Sequence, residues 1–352
     1  MPPPGSSVTL RTIARALGVC TTTVSLALRN SPRLPEKTRD RVRRAAESMG
    51  YRPNPQVRAW LAGRQGSGAH HGEVLAYLNP YPTLERWKAS PSVIRFHDGA
   101  KARAEKLGFE WETFWFRKSD LSNERLDAIL KARGVRGIIV GSFPEAQAHL
   151  RLSWERYVAI AQGMTLIRPQ LPRACNNYYE TMGTLLRQLA KLGYERPGIF
   201  IDENFDVRCR HNWVASYLVH RPQNGRNLPP PCVVKVEERM YFEKWLRRYA
   251  PDVVVAAGLH VHGWIEELGF QIPKEIGFAS FDRQPAEGWE SISGMNHQIE
   301  VCGAVAVDFL SGRLSRNESG LVPTPEIIMT PAEWVDGKTT LRKKGKREIA
   351  VV

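Results

Sequence analysis

From residue 72 onward the chain repeats one pattern: a short apolar run, a longer amphipathic stretch that often closes on glycine, then another apolar run. Runs at 74–78, 111–116 and 137–140 read as strands, with helices at 93–107, closed by Gly108, and at 122–133. The alternation resumes with a helix at 178–192, closed by Gly193, and a strand at 198–201. Helix 208–219, strand 232–236, helix 241–249, strand 253–256, helix 261–268 and strand 276–280 complete the series. Strands separated by crossover helices pair in parallel, and parallel sheets need helices over both faces. About 270 residues of this pattern exceed one comfortable core, so two similar α/β lobes are expected.

The first fifty residues follow a different rule. Leu10, Ile13, Ala14 and Leu17 recur at the spacing of one helical face, with Thr9 placed to cap the first turn and Gly18 to end the helix. Beyond the glycine, Val24, Ala27 and Leu28 share one face of a second helix. Its other face carries Thr21, Thr22, Ser25, Leu26 and Arg29. That outer face holds small hydroxyls, one leucine and one arginine, and no acid. Such a surface suits the DNA major groove, where hydroxyls meet phosphates or base edges and an apolar group meets a thymine methyl. An ordinary helical hairpin within a larger fold would show the same periodicity.

Residues 34–39, Leu-Pro-Glu-Lys-Thr-Arg, open a third helix with Val42, Ala45, Ala46 and Met49 on one face, and Gly50 ends it. Tyr51-Arg52-Pro53-Asn54-Pro55 follows. The order of these residues resembles the lactose/galactose repressor family of bacterial transcription regulators. The matching elements are Val8-Thr9-Leu10 with Ile13-Ala14, Gly18-Val19 with Thr22-Thr23-Val24-Ser25, Lys37-Thr38-Arg39 with Val42, and Gly50 to Asn54. The resemblance implies an all-α helix-turn-helix headpiece over 1–53 and a hinge helix and linker over 54–71. A two-lobe body like that of periplasmic binding proteins, for effector binding and dimerisation, would span 72–337. Base contacts would come from Thr21, Thr22 and Leu26. Thr9, Thr23, Ser25 and Arg29 would hold phosphates, and Asn30, Tyr51 and Asn54 would also lie at the DNA. Cys20 stands where the family usually has a serine capping the recognition helix.

In the hinge, Pro55 suits the first turn of a helix, and 56–62 supply two turns before Gly63, Gly66 and Gly68 loosen the chain. A helix that short is unstable alone in water. The resemblance implies that two copies pair in the minor groove and wedge a leucine between bases. The family's leucine position falls on Trp60 here, and Leu61 comes one residue later, so either residue is the candidate wedge. A plain linker whose Trp60 packs on the body is the alternative.

Charge bears on the same question from another side. The chain carries a net +14. Residues 1–64 account for +9, residues 65–337 for zero, and the tail 338–352 for +5. Positive charge confined to a small N-terminal domain and a tail marks a polyanion-binding module on a neutral body. The tail, with its run Arg342-Lys343-Lys344-Gly345-Lys346-Arg347, reads as disordered. It has no leucine heptads of the kind that make tetramers in some family members, so a homodimer is expected.

Other chemistries lack their signatures. No apolar stretch is long enough for a membrane span, and the N-terminus has no basic-then-apolar secretory pattern, so a cytoplasmic protein is expected. The five cysteines are scattered, which fits reduced thiols rather than a zinc site or a disulfide framework. His260 and His262, two residues apart at a helix start, do not face each other. No nucleotide loop, nucleophile elbow or metalloprotease motif is present, so neither a cofactor nor a catalytic set is expected.

In two-lobe sheets of this kind ligands bind beyond the carboxyl ends of the strands. Here those positions are 79–81, 141–143, 202–204, 257–259 and 281–283. The candidate effector contacts are Asn79, Tyr81, Phe96, Ser142, Trp213 and Asp282, with Trp87 and Trp289 as further stacking candidates. The resemblance implies a sugar-like effector and three chain crossings between the lobes, near 165, 298 and 323. Two departures stand out. Ala257-Gly258 replaces the family's Asn-Asp pair, and Arg283 replaces a second acid after Phe281. The leading reading is a dimeric regulator, a repressor by its resemblance, that binds double-stranded operator DNA and responds to a small molecule. A solute-binding protein and a carbohydrate-active enzyme on the same body are the alternatives.

Overall fold

Local capping sets the headpiece. Thr9 accepts the Thr12 N–H at 3.3 Å and Thr12 returns a bond to the Thr9 N–H, which starts α1 at Leu10–Leu17. Gly18, at φ 64°, takes the left-handed turn that lets α2, Thr21–Leu28, leave in a new direction. α3, Glu36–Ser48, lies across both. Ile13, Ala14, Val24, Ala27, Val42 and Ala46 form a small buried core, ringed by Val8, Leu17, Val19, Leu34, Met49 and Tyr51. The Arg41 guanidinium donates to the Leu17 carbonyl at 2.6 Å and fastens α3 to the end of α1.

The computed structural model of the chain describes residues 8–28, 34–49, 51, 73–117, 121–221 and 228–343. The expected contacts at Arg29, Asn30, Asn54, Trp60 and Leu61, the hinge at 54–71 and the tail end at 344–352 lie outside the described residues.

The body contains two six-stranded sheets. The first lobe places β1 (Val74–Asn79), β2 (Glu110–Trp115), β3 (Val135–Val140), β5 (Val158–Gln162), β7 (Arg173–Asn176) and β13 (Ile327–Thr330) in the order β13-β7-β5-β3-β1-β2, all parallel. Helices α4 (Leu84–Lys88), α5 (Pro91–Lys106) and α6 (Asn123–Ala132) connect these strands. A small pair, β4 (Ala148–His149) with β6 (Leu166–Arg168), lies beside the sheet. All six residues of β1 are buried, as a strand covered on both faces requires.

The second lobe orders its strands β14-β12-β11-β10-β8-β9, from β8 (Pro197–Asp202), β9 (Cys232–Val234), β10 (Val253–Ala256), β11 (Gly277–Ser280), β12 (Ser293–Asn296) and β14 (Glu333–Val335). Its helices are α7 (Tyr178–Lys191), α8 (Glu203–Arg208), α9 (Asn212–His220), α10 (Arg239–Tyr249) and α11 (Leu259–Glu267). The sheet is parallel except for β14, which returns antiparallel to β12.

The chain crosses between lobes after β7 at 176–178, before α12 (Ile299–Ser315) at 297–298, and between β13 and β14 at 331–332. The second crossing falls where the sequence placed it. The first lies later than 165 and the third later than 323, because β5, β7 and β13 extend the first sheet. The expected single helix at 208–219 is two, α8 and α9, broken where Arg210 and His211 take φ 58°.

α12 is the longest helix among the described residues and packs on α5. Their axes come close because Gly99 faces the Glu300 backbone and Gly303 faces the Phe96 carbonyl. A β-carbon at either glycine would collide with that backbone. The start of the tail is ordered rather than disordered. Phe278 donates to the Thr339 carbonyl at 2.8 Å, Ser293 N–H to the Thr339 hydroxyl at 2.9 Å, and Lys343 N–H to the Leu192 carbonyl at 2.9 Å. Thr339 and Thr340 are buried on the second lobe, which explains why this stretch does not behave as a simple charge run.

Candidate functional site

Two surfaces carry chemistry. On the headpiece, α2 buries only Val24 and Ala27, while Thr21 and Thr22 are exposed and Thr23, Ser25 and Leu26 are half-exposed. Thr9 is exposed at the start of α1, and Tyr51 packs its ring against the headpiece core. No acidic side chain lies on α2. Cys20 takes the cap position: its Sγ accepts the Thr23 N–H at 3.4 Å and lies 3.0 Å from the Thr23 hydroxyl. Those bonds hold the exposed thiol below its ordinary pKa.

The second surface is a crevice of about 640 Å³ between the lobes. Phe96, Ser142, Trp213 and Asp282, all expected as contacts, line it, and so does Trp289. Asn79 and Tyr81 do not. The Asn79 side chain turns into the first lobe, where its Oδ1 accepts the Tyr81 N–H at 3.0 Å, and both residues are buried away from the crevice. Their expected role as effector contacts is therefore corrected: the Asn79 side chain closes the turn after β1 by accepting the Tyr81 main-chain N–H, and the Tyr81 side chain is buried. Trp87 does not line the crevice either; its ring packs on His97 and Trp115.

Asp282 is held from several sides. Gln284 Nε2 donates to its Oδ1 at 3.0 Å, and the Ser92 hydroxyl of the first lobe lies 3.4 Å from the same oxygen. Arg283, standing where the family has an acid, donates to the Ile292 and Trp289 carbonyls at 2.9 and 3.1 Å and so serves the main chain. At the other departure, 257–258, the His260 ring occupies the space a side chain at Gly258 would need, and its Nε2 pairs with Glu237 at 2.7 Å.

Several lining residues were not singled out from sequence: Tyr178, Arg208, His297 and Gln162. His297 sits on the second crossing, fully buried, with Nε2 donating to the Phe281 carbonyl at 2.8 Å. That bond requires the proton on Nε2, which leaves Nδ1 an acceptor, and Nδ1 is buried with no partner. Burial holds the imidazole below its ordinary pKa, against the pull of Asp282 3.6 Å away. Trp213 packs against Tyr178, Phe281 and His297, and makes an apolar floor. Burial raises Tyr178 well above its ordinary value and pushes the Cys209 thiol up to about 12, so both stay neutral.

Among the described residues, no group of three His, Cys, Asp or Glu side chains is arranged to hold a metal, and no helix is long and apolar enough to cross a membrane. The crevice joins acids, amides and aromatic rings suited to hydrogen bonding a polar small molecule.

Residues 9–54 match the family model described as bacterial regulatory proteins, lacI family. No curated protein matches the chain by sequence. Solved structures match over 78–96% of its length. A complex of the transcriptional regulator CelR with cellobiose has 17% identity and a TM-score of 0.56, over 94% of this chain and 99% of that one. The lac repressor dimer bound to operator and the anti-inducer ONPF has 18% identity and a TM-score of 0.53, over 96% and 100%. The regulator CCPA from Weissella paramesenteroides with bound glucose has 13% identity and a TM-score of 0.53, over 78% and 100%. At these identities the likeness establishes the fold: a helix-turn-helix headpiece on a two-lobe body.

Proposed function

We propose that this chain, by its headpiece a member of the lacI family of bacterial regulatory proteins, is a non-enzymatic transcription regulator that binds operator DNA as a homodimer. The observation that carries the reading is the acid-free outer face of α2, within an N-terminal segment, residues 1–64, of net charge +9, attached to a body with an inter-lobe crevice. Thr21, Thr22 and Leu26 are placed to meet base edges, and Thr9, Thr23 and Ser25 to meet phosphates. Dimer symmetry would match two half-sites, with the hinge over 54–71 reaching the minor groove between them.

The crevice is assigned to a small effector. Its volume lies in the range of ligand sites, and it combines an apolar floor with a few polar groups. The relatives' cellobiose, ONPF and glucose make a sugar or sugar derivative the starting class, although the departures at 257–258 and 283 remove carboxylates that would pair with sugar hydroxyls. Closure of the lobes on a ligand would change the spacing of the hinges and so the operator affinity, releasing the DNA or strengthening the hold on it.

The test is a mobility shift with DNA from upstream of its own gene, at several salt concentrations. Full-length protein is expected to retard a specific fragment with an affinity that falls steeply with salt. A version lacking residues 1–64 is expected to stay folded and bind nothing. Undiminished binding by the truncated protein removes the headpiece from the mechanism.

A further inference from the structure

Two guanidiniums, Arg173 and Arg210, reach the loop at 163–166 on the rim of the crevice, a third, Arg208, bonds Ser142 beside it, and among the described residues none of the three pairs with a carboxylate. Arg173 donates to the Gly163 and Leu166 carbonyls at 3.4 and 3.2 Å, and Arg210 reaches the Met164 carbonyl at 3.4 Å. Arg208, which lines the crevice, touches the Ser142 hydroxyl across the cleft through Nη2 at 3.3 Å, and its Nε is buried with no partner. The acids of the same crevice are all engaged. Asp202 caps the Phe205 N–H at 2.9 Å, Glu237 holds His260, and Asp282 accepts from Gln284 and Ser92. Among the charged side chains of the crevice the unspent donor is the Arg208 Nε, beside the neutral Trp213 Nε1 and His297 Nδ1. A half-buried arginine whose Nε has no protein partner is costly unless an acceptor completes it, and a charged acceptor does so best.

We propose that the ligand of the crevice carries an anionic oxygen group, a carboxylate or a phosphate, which docks on the Nε–Nη2 edge of Arg208. That edge presents two parallel N–H donors, the geometry in which arginine grips two oxygens at once. Arg208 belongs to the second lobe and Ser142 to the first, so an anion that also takes the Ser142 hydroxyl ties the lobes together. The rest of the ligand lies on the Trp213 and Phe96 rings. Lys235, also lining the crevice, adds a second cation. The inference rests on the crevice being the effector site.

Calorimetric titration of the full-length chain with D-glucose, D-glucuronate, D-glucose 6-phosphate, succinate and inorganic phosphate tests it. At least one of the four anions is expected to bind, with D-glucose at least about ten-fold weaker. The uronate and phosphate arms tell a carboxylate from a phosphate. Arg208→Gln should weaken the bound anion by roughly ten- to a hundred-fold, and Arg208→Lys should restore only part, because an ammonium cannot offer two fixed donors. Arg208→Gln must unfold at the same urea concentration as the native chain for the loss to count as binding. Failure of all four anions, or anion binding unmoved by Arg208→Gln, overturns the proposal. If D-glucose binds as tightly as any anion and Asp282→Asn but not Arg208→Gln abolishes it, the anion is rejected and the crevice stands. Anion binding that survives both substitutions rejects the crevice as well.

Discussion

The Arg95 guanidinium grips the Glu300 carboxylate by two bonds, Nε to Oε1 at 2.6 Å and Nη2 to Oε2 at 2.8 Å. Arg95 lies on α5 of the first lobe, and Glu300 follows the second crossing directly. The same guanidinium also donates to Gln284 and Asn296 of the second lobe, each at 3.2 Å. One side chain thus fixes where the chain passes between lobes. The pair itself is weakened by solvent, since Glu300 is 45% exposed, so most of the effect comes from losing the four bonds together. Arg95→Ala is expected to lower the stability of the body by roughly 1–2 kcal/mol in urea unfolding. A loss within about 0.5 kcal/mol would place this contact among ordinary surface pairs.

Close helix approach gives a sharper case. Gly303→Ala puts a methyl group against the Phe96 carbonyl, and α5 and α12 must move apart to admit it. We expect a loss of about 1–3 kcal/mol or more. Gly312→Ala is the control, because only the end of the Arg316 side chain comes near, at 3.6 Å. There alanine's helix preference should leave stability unchanged or raise it by up to about 1 kcal/mol. Equal effects of the two substitutions in thermal unfolding would contradict the packing argument.

What the sequence made legible follows from its periodicity. The strand at 253–256 and the helix at 178–192 stand out because apolar runs and a closing glycine mark them. β5 and β7 do not, because no amphipathic helix separates them and the small β4–β6 pair takes its place. α12 carries Ile299, Cys302, Gly303, Ala306, Val307 and Leu310 at helical spacing, but it stands outside the strand–helix alternation that ends at 280. Loop positions after strands located the crevice but not which way each side chain turns. Phe96 and Asp282 face it, and Asn79 does not. His297 was invisible for a different reason: a crossing residue has no periodicity to reveal it.

Recognition should separate by residue type. Leu26→Ala is expected to relax the preference at one base position of each half-site by about 1 kcal/mol or more, since an apolar contact to a base edge is lost. Arg29→Ala should instead weaken all sequences by similar factors, as loss of a phosphate contact does. Selection from a randomised operator library measures both. An unchanged base preference for Leu26→Ala would reject its assignment.

Cys20 is the exposed thiol of the five cysteines, and its bonds to Thr23 lower its pKa. Burial pushes Cys175 and Cys232 up to about 11, and Cys209 and Cys302 up to about 12. A thiolate-seeking reagent should therefore modify Cys20 first, as mass spectrometry would show. The adduct at the start of α2 should reduce operator affinity. A serine oxygen caps the helix better than sulfur, so Cys20→Ser should stabilise the headpiece and abolish the sensitivity to the reagent. Retained sensitivity in Cys20→Ser would locate the reaction elsewhere.

The last expectation concerns pH. Burial holds His297 below its ordinary value of 6.5, so the native body keeps the ring neutral with Nε2–H on the Phe281 carbonyl. The groups facing it oppose one another: Asp282 favours the charged ring, while Arg95 disfavours it. When pH falls below about 6.5 the unfolded chain takes up a proton at this residue and the native chain does not. The unfolded state then binds more protons, so stability declines with falling pH. The contribution is whole above pH 6.5 and is lost as pH falls from there through the lowered native value. His97 and His262, lowered by the same cause, add to the slope. Urea midpoints between about pH 8 and 5.5 should fall for the native chain and fall less for His297→Gln, whose amide can still donate to the carbonyl. Parallel curves for the two proteins would mean that His297 takes up its proton equally well folded and unfolded, and that burial does not govern it.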